Sequence, residues 1–294
     1  MQHSLEEVGM AAPKWVTLRA QWLGQQLRDL REANGILLKD TAEYLQRDPS
    51  TAGRFESGEY PIRRPDLLAL LDLYGVADSH RRESLMKLSQ EVWQKGWWDG
   101  YAGEVAGAFV DYVWLESRAR EIRAFDNTLL PGLLHTSAYA RAAITAAEYD
   151  AKDEQIDRWV ELRTTRQGIL EGDNPPHLLS IIDESVLRRQ VGGSACLATQ
   201  LGELVKHAAR PNIEIRVLPF SAGAHASPAG AFRIFTMEKP FPEVGYAETP
   251  KGAIYIESPD TQRFVRTYDE LRELALAPEE STALISAIAQ ELLR

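Results

Sequence analysis

Between residues 18 and 92 the apolar positions recur at helical spacing in five runs. Leu18, Trp22, Leu23, Leu27 and Leu30 form the first and longest stripe, which predicts an amphipathic helix. Leu38, Ala42 and Leu45 share the inward side of a shorter helix, and Ala52 and Phe55 share that of the next. Leu67, Leu70, Leu71 and Tyr74 line a fourth, with Pro65 near its start and Gly75 as its stop. Leu85, Leu88 and Val92 line a fifth, which Asp78 can cap.

Past residue 96 the pattern alternates between helical stripes and short apolar runs. The run 178–182 follows Pro175-Pro176. Leu197, Leu201, Leu204, Val205 and Ala208 form a helical stripe that ends at Arg210-Pro211-Asn212. Ile213, Ile215 and Val217 then alternate with Glu214 and Arg216, a strand signature. Segments 231–237 and 253–257 read as further strands joined by Gly/Pro-rich turns, and helices close the chain near 267–276 and 278–293. Pro278, Glu279 and Glu280 suit a first helical turn. The predicted architecture is an all-α N-terminal domain followed by an α+β C-terminal domain. Residues 1–13 form a weakly ordered lead-in, 14–95 the first domain and 96–294 the second. Lys95-Gly96-Trp97-Trp98-Asp99-Gly100-Tyr101 marks the boundary, as a hinge whose aromatics pack the domains together or stack on a ligand.

The second and third helices are joined by a tight turn. Asp48 is a good N-cap for the third and Pro49 suits its first position. With Ala52 and Phe55 turned inward, Ser50, Thr51 and Arg54 lie on the opposite face, and Gly53 keeps that face low. Small polar residues and an arginine there are what a helix-turn-helix needs to enter a DNA major groove. Glu56 is read instead as an intradomain partner of Arg28 or Arg31. Arg47, Arg63 and Arg64 are either phosphate contacts or plain solvated charge.

The set of helices, the caps and the ending Arg54-Phe55-Glu56-Ser57-Gly58 resemble the Xre, lambda-repressor-like, helix-turn-helix family. Leu37 and Leu38 stand where that family has a Ser or Thr cap and then Gln, so the Gln contact to phosphate is lost or passes to Lys39. Gln46 replaces the turn glycine and Ala52 a buried isoleucine. Further blocks follow: Gly96-Trp97-Trp98, Ile122-Arg123-Ala124-Phe125, the stretches 130–136 and 139–141, then 183–193 and 217–225. With the N-terminal motif these resemble a group of actinobacterial Xre-type regulators, WhiJ-type developmental regulators among them, whose C-terminal domain has no assigned biochemistry. The resemblance implies a regulator of development or antibiotic production, with a small acidic partner protein encoded nearby and an antitoxin-like character in some members.

The net charge of −10 looks wrong for a nucleic-acid binder, but its distribution is uneven. Residues 14–95 carry 13 basic and 12 acidic side chains, whereas the residues beyond carry 20 basic and 29 acidic. Acidity in the second domain would repel non-specific phosphate contact and leave binding to a local basic face. A single cysteine, Cys196, excludes an internal disulfide and a Cys-rich metal site. The absence of a signal sequence and of a membrane-length apolar run predicts a cytoplasmic protein without membrane contact.

The six histidines are scattered without metal-ligand spacing, and neither a phosphate loop nor a dinucleotide fingerprint occurs. His225 near Ser221 lacks the nucleophile elbow of a hydrolase. No enzymatic activity, cofactor or metal is therefore expected. Loop 219–230 shapes a cleft or partner surface, or is plain solvent loop.

The sequence thus predicts sequence-specific transcriptional regulation of double-stranded DNA. A recognition helix at 49–57 would place Ser50, Thr51, Gly53 and Arg54 at the groove, with Lys39, Arg47, Arg63 and Arg64 holding phosphates. One module of this size buries too little surface for tight binding, so a homodimer is expected, with the second domain for dimerisation and for partner or ligand sensing. The alternative is an antitoxin-like interaction module that binds a small acidic partner, with DNA contact secondary.

Overall fold

The computed structural model describes residues 16–94, 96, 107–239, 241–249 and 252–294. The expected lead-in and the boundary aromatics Trp97, Trp98 and Tyr101 lie outside these residues. The chain divides into two compact units, 1–99 and 100–294.

The described residues of unit 1 form five helices: α1 (Leu18–Ala33), α2 (Leu38–Tyr44), α3 (Pro49–Glu56), α4 (Arg64–Leu73) and α5 (Ser79–Trp93). Each predicted stripe supplies core: Trp22, Leu23 and Leu27 from α1, Ala42 from α2, Ala52 and Phe55 from α3, Leu67 and Leu70 from α4, Leu85 and Leu88 from α5. Helix starts follow the expected chemistry. Asp48 accepts from Ser50 N at 2.8 Å and Asp78 from His80 N at 3.0 Å. Leu37 cannot cap α2 with its side chain, so Asp40 accepts from Leu37 N at 3.2 Å instead. Gly75 ends the fourth helix at φ +63°.

One packing feature had no local signature. A Cβ on Gly24 would lie 2.8 Å from Phe55 O, and one on Gly58 2.7 Å from Ala20 C. Contacts that short are essentially forbidden, so the two glycines let α1 and the end of α3 touch backbone to backbone.

Unit 2 is built on a six-stranded mixed sheet in the order β3-β2-β1-β4-β5-β6. Helix α6 (Gly107–Arg118) leads directly into the central strand β1 (Ala119–Asp126). Helices α7 (Ser137–Ala147) and α8 (Asp153–Arg166) cross to β2 (His177–Asp183), parallel to β1. Helices α9 (Glu184–Arg188) and α10 (Ser194–Ala208) cross to β3 (Ile213–Leu218), again parallel. The chain then returns to the other side of β1 with β4 (Phe232–Met237), β5 (Val244–Thr249) and β6 (Gly252–Glu257), all antiparallel. It closes with α11 (Gln262–Leu274) and α12 (Pro278–Glu291).

The α+β expectation holds, and β2, β3, β4 and β6 fall on the predicted strands. Strands β1 and β5 were not predicted as strands, and α11 begins five residues before its expected start. Alternation along the strands separates two faces. Phe125, Ile181, Phe232 and Ile234 form a core with Tyr268 and Leu271 of α11. On β4 and β5 the opposite parity, Phe235 and Tyr246, meets Tyr112 of α6 at 5.5 and 4.6 Å between ring centroids. No helix among the described residues is long and apolar enough to cross a membrane.

Candidate DNA interface

Helices α2 and α3 pack against each other through the Ala42 and Ala52 sides. Burying those small residues orients the rest of α3 outward. Ser50 and Arg54 are exposed and Thr51 is half-buried. Pro49 opens the helix, Asp48 caps it, and Ser57 follows as the C-cap, so the element matches the predicted recognition helix to within one residue.

Arg54 is 48% exposed, and its side chain has two weak partners among the described residues. Its Nε lies 3.9 Å from Glu59 Oε2, and its guanidinium sits 5.3 Å from the centroid of the Tyr60 ring. Exposed ion pairs of this kind contribute at most about 1 kcal/mol, so a phosphate or base edge can replace them. Glu56 is the opposite case. It is 7% exposed and accepts from Arg31 Nε at 2.6 Å and from Arg28 Nε at 3.4 Å. Donating to Glu56 holds the pKa of the Arg31 guanidinium above its ordinary value. The expected intradomain role of Glu56 is thus met with both arginines, and this carboxylate is unavailable to bases.

The remaining candidates spread over three elements. Lys39 is exposed in the first turn of α2. Arg47, in the turn, reaches Asp66 Oδ2 of α4 at 3.3 Å and so ties the turn to the start of that helix. Arg63 is the exposed N-cap residue of α4. Arg64 lines a groove with Met86, Gln90 and Trp93 of α5. Gly53 is half-buried, and a Cβ there would meet Leu38 Cδ2 at 3.6 Å, so its bare side is turned to α2. Gln46 adopts φ +54°, the left-handed conformation for which a glycine is the natural choice.

Leu37 is exposed, and so are Tyr44 and Tyr60, which the sequence reading did not single out. Tyr60 could have been found from its place two residues after Gly58, where its backbone N–H donates to Arg54 O at 3.1 Å.

Comparison with known proteins places these elements. The helix-turn-helix domain family matches residues 22–85, which span α2 and α3 and most of the helices around them. A domain of unknown function, DUF5753, matches residues 109–287, nearly all of unit 2. No curated protein and no solved structure matches the chain.

Proposed function

Because this chain belongs to the DUF5753 family and carries a helix-turn-helix domain ahead of that region, we propose that it is a sequence-specific transcriptional regulator of double-stranded DNA. Helix α3 enters the major groove, Ser50, Thr51 and Arg54 meet base edges, and Lys39 and Arg47 hold phosphates. Arg63 extends the phosphate contact at the start of α4. Unit 2 performs no catalysis. It supplies dimerisation and the sensing of a partner or ligand, because a single module buries only about 600–1,000 Å² against DNA. The finer assignment is to the actinobacterial WhiJ-type group, acting in the cytoplasm on development or antibiotic production.

The observation that carries this reading is the contrast on one helix. Arg54 is exposed with exchangeable partners, while Glu56 two residues on is sealed inside by two arginines. The test is fluorescence anisotropy with DNA from around the chain's own gene and a scrambled duplex, with light scattering of free and bound protein. Preference for its own DNA as a dimer is expected. Equal binding to both duplexes contradicts sequence specificity, and a monomer in both states contradicts the dimer.

A second reading has its own observation. Leu37, Tyr44 and Tyr60 are exposed in the same domain as these arginines, which leaves apolar side chains for a partner to cover. In that case the chain is an antitoxin-like module for a small acidic partner. DNA preference that appears only with the partner, or not at all, favours it.

A further inference from the structure

Unit 2 contains a cavity of about 670 Å³ on the α6 side of its sheet, within the range of about 300–1,000 Å³ usual for small-molecule sites. Its charged lining is the feature that needs explanation. Three arginines converge there: Arg163, Arg166 and Arg233.

Two of them are fully engaged. Arg166 donates to both oxygens of Glu116, at 2.8 and 2.7 Å, with both side chains almost wholly buried. Its guanidinium is also 5.1 Å from the ring centroids of Phe109 and Tyr112. Burial opposes the charge of Arg166, but the Glu116 carboxylate outweighs it and holds the group charged. Arg233 donates to Asp126 Oδ1 at 2.6 Å and to the carbonyls of Phe125 and Phe232.

Arg163 is different. Its Nη1 lies 3.4 Å from His135 Nδ1, and among the described residues no carboxylate stands within ion-pair distance of it. Burial, with Arg166 adding to it, pulls Arg163 down to about 10. His135 does not relieve the charge. Burial and then Arg163 push its imidazole down to about 3, so it is neutral, and Nε2–H donates to Leu130 O at 2.8 Å while Nδ1 faces Arg163. The ring orients the guanidinium without cancelling it.

The second unmet group is an acceptor. Asp126 is 5% exposed, and its Oδ2 is buried with no hydrogen-bond partner. The great majority of buried acceptors are hydrogen-bonded, so an orphan on a cavity wall marks a place for a donor. Tyr112 and Tyr246 supply flat apolar walls beside these groups. Glu248 also lines the cavity but stands exposed at its edge.

We propose that this cavity binds a flat, ring-bearing organic monoanion. Its carboxylate pairs with Arg163, its N–H or O–H donates to Asp126 Oδ2, and its ring lies against Tyr112 and Tyr246. One free guanidinium suits a single negative charge. A phosphate dianion would meet the Asp126 and Glu248 carboxylates with only that one cation free to answer it. The site gives the sensing role of unit 2 a chemical class of ligand and rests on that role for its biological meaning.

The test uses the full chain without DNA, so its failure leaves the regulator reading standing, and the reverse. Isothermal titration with indoleacetate, which has ring, N–H and carboxylate, should show saturable one-to-one binding. Tryptophol, which lacks the charge, and naphthylacetate, which lacks the donor, should each bind roughly tenfold or more weakly. Arg163→Gln should bring indoleacetate to the level of tryptophol, and Arg163→Lys should recover part of the loss. The ranking of the three compounds on the wild-type chain stands even if a variant fails to fold. Absence of saturable indoleacetate binding, equal binding of tryptophol, or a folded Arg163→Gln chain with unchanged affinity overturns the proposal.

Discussion

In unit 1 the candidate DNA-contacting arginines lie at the surface with partners that water screens, whereas in unit 2 three arginines converge on one cavity and two are closed off by buried carboxylates. The exposed pairs, Arg47 with Asp66 and Arg54 with Glu59, span 3.3 and 3.9 Å. The pair of Arg166 with Glu116 is two-pronged, shorter and almost dry. Exposed pairs are held loosely enough to be traded for another anion, while removing one partner of a buried pair strands the other. The difference teaches where exchange can happen. A nucleic acid can recruit the arginines of unit 1, and of the three arginines at the cavity of unit 2 Arg163 is the one without a carboxylate partner among the described residues.

Removing one carboxylate from each class should separate the two kinds of pair most widely. Glu116→Gln should destabilise the chain by about 3–5 kcal/mol in urea denaturation, because Arg166 stays buried and charged. Asp66→Asn should cost no more than about 1 kcal/mol. Similar costs for the two would erase the distinction.

His135 tests the dryness of the same region through pH. Its value is about 3 when folded against an ordinary 6.5, so in that interval the unfolded chain binds the extra proton. Stability should therefore fall as pH drops from 6.5 toward 3, by about 4 kcal/mol, and His135→Gln should flatten this limb of the profile. An unchanged acid limb in the variant would mean that His135 is solvated.

Unit 1 depends on a different device, the close approach of α1 to α3. Gly24→Ala should cost about 1–3 kcal/mol, since the new Cβ meets backbone rather than a movable side chain. Thermal melting reads it, and a neutral result would show that α1 can slide. The smallest effect is a gain. Gln46→Gly should stabilise unit 1 by up to about 1 kcal/mol, because φ +54° strains any residue with a Cβ. A loss on melting would mean that the Gln46 side chain makes up for its backbone.

Unit 1 was legible because its signals are local. Asp48 and Pro49 announce α3 within two residues, and Ala52 with Phe55 tells its inner side from its outer. The pairing of Glu56 was readable from the basic side of α1. Gly24 was not, because a glycine inside a regular stripe does not say which backbone will approach it. In unit 2 the central strand β1 escaped prediction because α6 runs into it without a breaker, through Glu116, Arg118, Arg120 and Glu121, residues that favour helix. Strand β5 opens Val-Gly-Tyr-Ala, weak in strand formers on one side. The cavity was beyond reach for a related reason. Glu116 and Arg166 are separated by 50 residues and Asp126 and Arg233 by 107, and only the sheet order brings them together.

Arg54 is proposed as an exchangeable surface cation aimed at DNA, and this can be tested directly. Fluorescence anisotropy should compare wild type and Arg54→Ala on DNA from around the chain's own gene and on a scrambled duplex, across a salt series. Wild type should prefer its own DNA, and the variant should lose about 1–3 kcal/mol with no change in melting temperature. Equal affinity of the two proteins for that DNA, at every salt concentration, would contradict it.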